Sequence, residues 1–255
     1  MTLPAIAVRS ALLALTLLFC AMPARAEDVK VFSSVAMRAV VEDVSQRFER
    51  DTRHRVVPTF GLAAALKSRI EGGDAFDLAI LTPAQIDDLI KQGKAAAASR
   101  AVIARTGLGL MVRAGAPKLD VGTLDSFKRT LLAAKSLTYV PAGASGVAFV
   151  ATAKQLGIAQ ALEVKTRPSA SVEEVTANVT SGAAEIAVLP VSEILPVKGA
   201  ALGGVFPGDV QTYIVMAGAT SNAASQAARD FLARLMSAAS DAVIAAKGME
   251  RTDKR

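Results

Sequence analysis

At 255 residues, 52% apolar and 20% charged, the chain is long enough to bury one large core or two modest ones and too apolar to be disordered. Its formal charge of +6 is dispersed and not interleaved with aromatics, which excludes a nucleic-acid footprint. With no Trp, two Tyr and nine Phe there are few platforms for stacking on a sugar, and one Cys with one His argues against disulfides, thiolate metal sites and zinc chemistry.

The N-terminus reads as a cleavable secretory leader over 1–26. Arg9 supplies the positive start, an apolar run follows over 11–22, and Ala24-Arg25-Ala26 is a small-x-small cleavage site. The run is shorter than the roughly 20 residues of a membrane span. Cys20 follows Phe19, not the small residue that lipidation requires, and cleavage would remove this cysteine. Loss of Arg9 and Arg25 lowers the charge to about +4, a mild field that favours anionic solutes. An exported, unanchored periplasmic protein is the expectation.

After the leader, strands and helices alternate. Val29-Lys30-Val31-Phe32 reads as a strand, then Ser33-Ser34, then a helix over 36–50 with Val40, Val41, Val44 and Phe48 on one face. His54 lies in the basic run Arg53-His54-Arg55 and reads as a solvated loop histidine. A Val-rich strand over 55–60 ends at Gly61, and a helix runs through Leu66 and Ile70 to the Gly72-Gly73 stop. A short buried strand covers 76–81. Thr82-Pro83 caps the next helix, with Ile86, Leu89 and Ile90 on its apolar face and Gly93 at its end. Further on, strands are expected at 108–112, 137–140, 162–166, 185–189 and 211–217. Helices are expected at 123–134, from about 147 to Leu156-Gly157, after Ser171 through Val175 and Val179, and over 222–246; Glu174 fits a capping-box partner for Ser171. Such alternation implies parallel sheets covered on both faces.

In sheets of this kind ligands bind beyond the carboxyl ends of strands, where helices begin. Three such junctions are rich in small residues: Ser33-Ser34-Val35-Ala36, Gly61 with Ala63 and Ala64, and Gly143-Ala144-Ser145-Gly146. Small residues admit a ligand to the backbone, and helix N-termini offer free N–H groups with about half a positive charge each. Converging N-termini would hold an anion without metal or cofactor. Arg38, a cation in a first helical turn, is unfavourable there unless an anion compensates it; it is therefore a candidate ligand contact equal in weight to a plain surface arginine, with Lys67 a weaker one. Asp74, Asp77, Asp87 and Asp88 read as solvated surface. Glu42-Asp43 and Glu173-Glu174 lack a nucleophile beside them, so no enzyme is expected.

At these junctions the sequence resembles the periplasmic molybdate-binding protein family, a branch of the type II periplasmic solute-binding proteins. The residues that carry the resemblance are Val29 to Ser34, Leu66, Arg69 to Gly73 with Asp77-Leu78, Leu156-Gly157, Ser192-Glu193-Ile194 and the stretch from Gln211 to Ala217. The resemblance implies an α/β fold of two lobes with mixed, mostly parallel sheets, hinged by crossover strands: lobe 1 over 27–105 plus 213–255, lobe 2 over 106–212. It implies closure on a ligand, monomers, and delivery to the membrane permease of an ABC transporter; the alternative is a periplasmic sensor subunit whose ligand-bound form docks to a receptor. The family's site pattern falls on Ala36, where the family has a serine, on Ala63 to Ala65 in place of a serine-rich loop, and on Pro190 in place of a tyrosine. Backbone donors fall at Ser145 and near Val175. Each lost hydroxyl costs a buried oxyanion about 1–3 kcal/mol, so a small organic carboxylate is expected in preference to molybdate or tungstate.

Overall fold

The computed structural model describes residues 26–252; the expected leader, with Cys20, lies outside the described residues apart from Ala26. Alternating Val29 and Val31 bury one face of β1 (Asp28–Ser34), which lies between two parallel neighbours, β2 (Arg55–Gly61) and β3 (Leu78–Leu81). The uninterrupted Leu-Ala-Ile-Leu of β3 is wholly buried, as a strand covered on both faces requires. After a single 3-10 turn, α1 (Arg38–Thr52) buries Val40, Val41, Val44 and Phe48, the stripe its periodicity predicts. Helices α2 (Ala63–Glu71) and α3 (Pro83–Lys91) follow β2 and β3. The Thr82 amide and hydroxyl both donate to Gln85 Oε1, at 3.2 and 2.8 Å, and fix the start of α3.

The chain then crosses between lobes on one long strand, β4 (Ala101–Arg113). Up to Gly107 it pairs antiparallel with β9 (Tyr213–Thr220); from Leu108 it pairs antiparallel with β7 (Ile186–Pro190) and from Gly109 with β8 (Ala200–Val205). In the second lobe β5 (Leu137–Tyr139) lies between β6 (Thr166–Pro168) and β7, both parallel to it. Its helices are α4 (Leu124–Ala133), α5 (Ala144–Gln155), α6 (Ala159–Glu163), α7 (Val172–Ser181) and α8 (Val191–Ile194). The strand order is β2-β1-β3-β9-β4-β7-β5-β6, with β8 beside β4. The outer strands of each lobe are parallel, and the antiparallel pairs cluster around β4 and β9. After β9, α9 (Gln226–Met236) and α10 (Asp241–Ala246) return to the first lobe, where Phe231 meets Phe48 edge-on at 5.2 Å between ring centres.

Several elements differ from the sequence reading. The expected strand over 162–166 is helix α6 followed by β6, because Ala-Gln-Ala-Leu-Glu favours helix and too few apolar residues fix a period of two. The first half of β4 escapes pattern reading because a bulge between Val102 and Ala104 breaks its alternation. The expected single helix over 222–246 is two, since Ser237 adopts an extended backbone (ψ 155°) after Met236. The Glu174 side chain accepts from the Ala170 amide, one residue before the expected cap, while Ser171 Oγ accepts from the Glu174 amide at 3.2 Å.

Candidate functional site

Every strand-to-helix turn that follows a parallel strand opens into the space between the lobes. From the first lobe come Ser34, Val35 and Ala36 after β1, Leu62, Ala63 and Ala64 after β2, and Thr82 and Gln85 after β3. From the second come Val140 and Ala142 to Ser145 after β5, Val172 after β6, and Pro190 and Glu193 after β7. Val147 of α5 with Ile214 and Met216 of β9 complete a cavity of about 340 Å³. A larger groove, about 440 Å³, lies wholly within the second lobe along α5 and α6 and draws on no first-lobe residue.

The charge of the inter-lobe cavity is set by backbone. Among the described residues no Lys, Arg or His lines it. Of the helices that start at the cavity, α7 is capped by the side chain of Ser171. In contrast α2 and α5, which face each other from opposite lobes, begin at Leu62 and Gly143 with no side-chain cap. Their first-turn amides are therefore free to meet an acceptor in the cavity. Glu193 is the one ionisable group in the lining, and it has no hydrogen-bond or ion-pair partner among the described residues. Glu193 is half-buried, and desolvation, reinforced by the charge of Glu173 and opposed by Arg38, pushes its carboxyl up to about 8.

Of the residues expected at the site, Ser34, Ala36, Ala63, Ala64, Ser145 and Pro190 line the cavity together. The others do not. Ser33 is fully buried on the opposite face of β1 and its hydroxyl donates to the Ser34 carbonyl at 3.1 Å. Gly61 backs onto Leu66, and Gly146 packs so tightly on the Val140 carbonyl that a Cβ would collide with it. Val175 is fully buried in the core of the second lobe, one helical turn below Val172. Arg38 turns outward, donates to Glu173 of α7 at 3.0 Å and lies 4.8 Å over the Phe60 ring. Lys67 pairs with Glu71 at 2.7 Å. Thr82, Gln85 and Glu193 are polar lining residues that the sequence reading passed over. Thr82 has the same signature as a simple cap, and Glu193 carried part of the family resemblance without a role.

Comparison with known proteins agrees with this architecture. A family model described as bacterial extracellular solute-binding protein matches residues 29–250. An aconitate isomerase from Pseudomonas sp. is 28% identical over 225 residues, covering 85% of this chain and 84% of that protein. The molybdate-binding protein ModA of Azotobacter vinelandii is 29% identical over 231 residues, covering 85% and 87%. Among solved structures, the periplasmic molybdate-binding protein of Azotobacter vinelandii superposes with a TM-score of 0.74 at 19% identity, covering 88% of this chain and 100% of that one. The sulfate-binding protein SubI of Mycobacterium tuberculosis gives 0.70 at 18%, covering 89% and 88%. Two lobes joined by a shared crossover strand, with helix starts gathered between them, and a family match over nearly the whole described chain together establish that the chain belongs to the bacterial extracellular solute-binding proteins, in the branch that resembles ModA.

Proposed function

We propose that this chain is the periplasmic solute-binding subunit of an ABC importer, exported by a leader cleaved after Ala26, and that it captures a small organic carboxylate between lobe 1 (27–105 plus 213–255) and lobe 2 (106–212). The observation that carries this reading is the pair of uncapped helix starts, at Leu62-Ala63 and Gly143-Ala144, on opposite walls of a cavity without a basic side chain. An anion there gains from both dipoles, and the gain requires both lobes, so binding and closure are one event. Ala36, Ala63, Ala64, Val140 and Val172 give the walls an apolar character suited to a carbon skeleton. A tetrahedral oxyanion needs nearly all its oxygens paired, and the lining supplies few hydroxyls for that. The partner is the membrane permease, and the binding unit is a monomer. Native mass spectrometry of protein purified without refolding should reveal a carboxylate that co-purifies, and titration calorimetry should rank carboxylates above molybdate and sulfate. Tight molybdate binding with no affinity for carboxylates would reverse the assignment.

A second reading follows from Glu193, a titratable carboxyl in the cavity, and from the relative named aconitate isomerase. A carboxyl that takes a proton from a bound acid and returns it would isomerise the acid rather than carry it. Incubation with trans-aconitate in D₂O separates the readings. A binding protein leaves the proton spectrum unchanged, whereas an isomerase introduces deuterium or a second isomer.

A further inference from the structure

Glu193 lines two spaces at once. One is the inter-lobe cavity; the other is an outer crevice of about 200 Å³ between α1, α7 and α8. The charged groups that face Glu193 across this crevice are Glu173 of α7 and Arg38 and Glu42 of α1. Arg38 is bonded to Glu173 and so offers its charge to that carboxylate first. Beside Glu193, the Ser192 hydroxyl is buried, lines the same crevice and has no hydrogen-bond partner among the described residues. The Ser192 amide donates to Thr106 Oγ1 of β4 at 3.2 Å, which ties the start of α8 to the crossover strand. A glutamate shared by an anion site and an outward crevice has a route for its proton to reach solvent while the lobes are closed.

We propose that Glu193 is a ligand-binding residue that holds the anion as a neutral carboxylic acid, donating a hydrogen bond to a carboxylate oxygen of the ligand, and that its proton travels through the crevice lined by Ser192 and Glu173. The inference rests on the anion-binding reading above. An ionised Glu193 repels the anion and a protonated one donates to it, so the ligand binds the protonated protein. Affinity is then level at neutral pH and falls about tenfold per pH unit once Glu193 ionises. The ligand takes up close to one proton per site in alkaline buffer and almost none at pH 7.

Two measurements test this. In ligand-free protein labelled with ¹³C at glutamate Cδ, one resonance should titrate near pH 8 and vanish in Glu193→Gln. If every glutamate resonance titrates in the ordinary acid range, the proposal is overturned whatever the ligand. Calorimetry then follows trans-aconitate, citrate, molybdate and sulfate from pH 6 to 9.5 in buffers of different ionisation enthalpy. The anion that binds should weaken steeply above pH 8 and take up a proton there. In Glu193→Gln the profile should be flat without proton uptake, and Glu193→Ala should lose at least tenfold at pH 7. An anion that binds with the same affinity at every pH overturns the role of Glu193 and leaves the anion-binding reading standing. If none of the four binds at pH 6, both readings fall together.

Discussion

A carboxyl that titrates near pH 8 inside a folded protein, against 4.5 when exposed, affects stability as well as binding. The folded state then holds a proton that the unfolded chain has already released. The stability linked to Glu193 is thus fully present below about pH 4.5 and is lost as pH rises through about 8. Glu193→Gln removes the ionisation. Its melting temperature should rise relative to the parent as pH climbs from 5 to 9, and the two should differ least at pH 5. A constant difference across that range would mean that Glu193 ionises in the fold as it does in the unfolded chain. This residue also marks the limit of what the sequence discloses. Small residues at strand ends are legible, because close approach to a backbone dictates them, and Ser34, Ala36, Ala63, Ala64 and Ser145 duly meet in one cavity. Desolvation of a particular glutamate depends on where α1, α7 and α8 pack, which no local pattern encodes. Arg38, weighed equally as a ligand contact and as a surface arginine, could not be decided from sequence for a related reason. Its place in a first helical turn does call for an anion, and the anion is Glu173, 135 residues away in the same chain.

Among the elements, β4 connects pairing to function. It changes partners between Gly107 and Leu108, and the side chain of Gln211 clamps that point. Gln211 Oε1 accepts from the Leu108 amide at 2.7 Å, and its Nε2 donates to the Leu108 and Phe206 carbonyls at 3.2 Å each. Any side chain at position 107 would meet Gln211 at 3.0 Å, so the glycine makes room for the clamp. Gln211 thus supplies the acceptor for the Leu108 amide, while the Leu108 carbonyl also accepts from the Phe206 amide at 3.1 Å. In Gln211→Ala the Leu108 amide loses its acceptor, and hydrogen exchange there should quicken at least tenfold, while amides of β1 and β3 stay protected. Uniform acceleration would mean global destabilisation instead of a loosened crossover. Helices with long apolar stripes, such as α1 with Val40, Val41, Val44 and Phe48, were readable because four positions fix a period. The crossover was half-hidden because a bulge between Val102 and Ala104 interrupts its alternation, and α6 was hidden because its five residues carry no period.

For the whole molecule, the question is what holds the lobes together around the cavity. Arg38–Glu173 spans them at 3.0 Å, yet the two side chains are 41% and 65% exposed, and a pair so open to water contributes about 0–1 kcal/mol. Apolar contact is the stronger candidate. Val35 and Leu62 of the first lobe pack against the core of the second, which includes Val140, Val172 and Leu189. Burial of most of a leucine side chain contributes about 1.5–2 kcal/mol, and that energy is realised only when the lobes meet. Closure is therefore expected to follow hydrophobic contact, with the ion pair setting alignment. Arg38→Ala should change ligand affinity by less than about fivefold, and 0.5 M salt should act on the parent to the same small degree. Leu62→Ala should weaken binding about tenfold or more and enlarge the radius of gyration measured by X-ray scattering with ligand present. If the order were reversed, with Arg38→Ala the more damaging and salt strongly weakening, closure would be electrostatic, and the apolar seam between Leu62 and the second lobe would be a consequence of closure and not its cause.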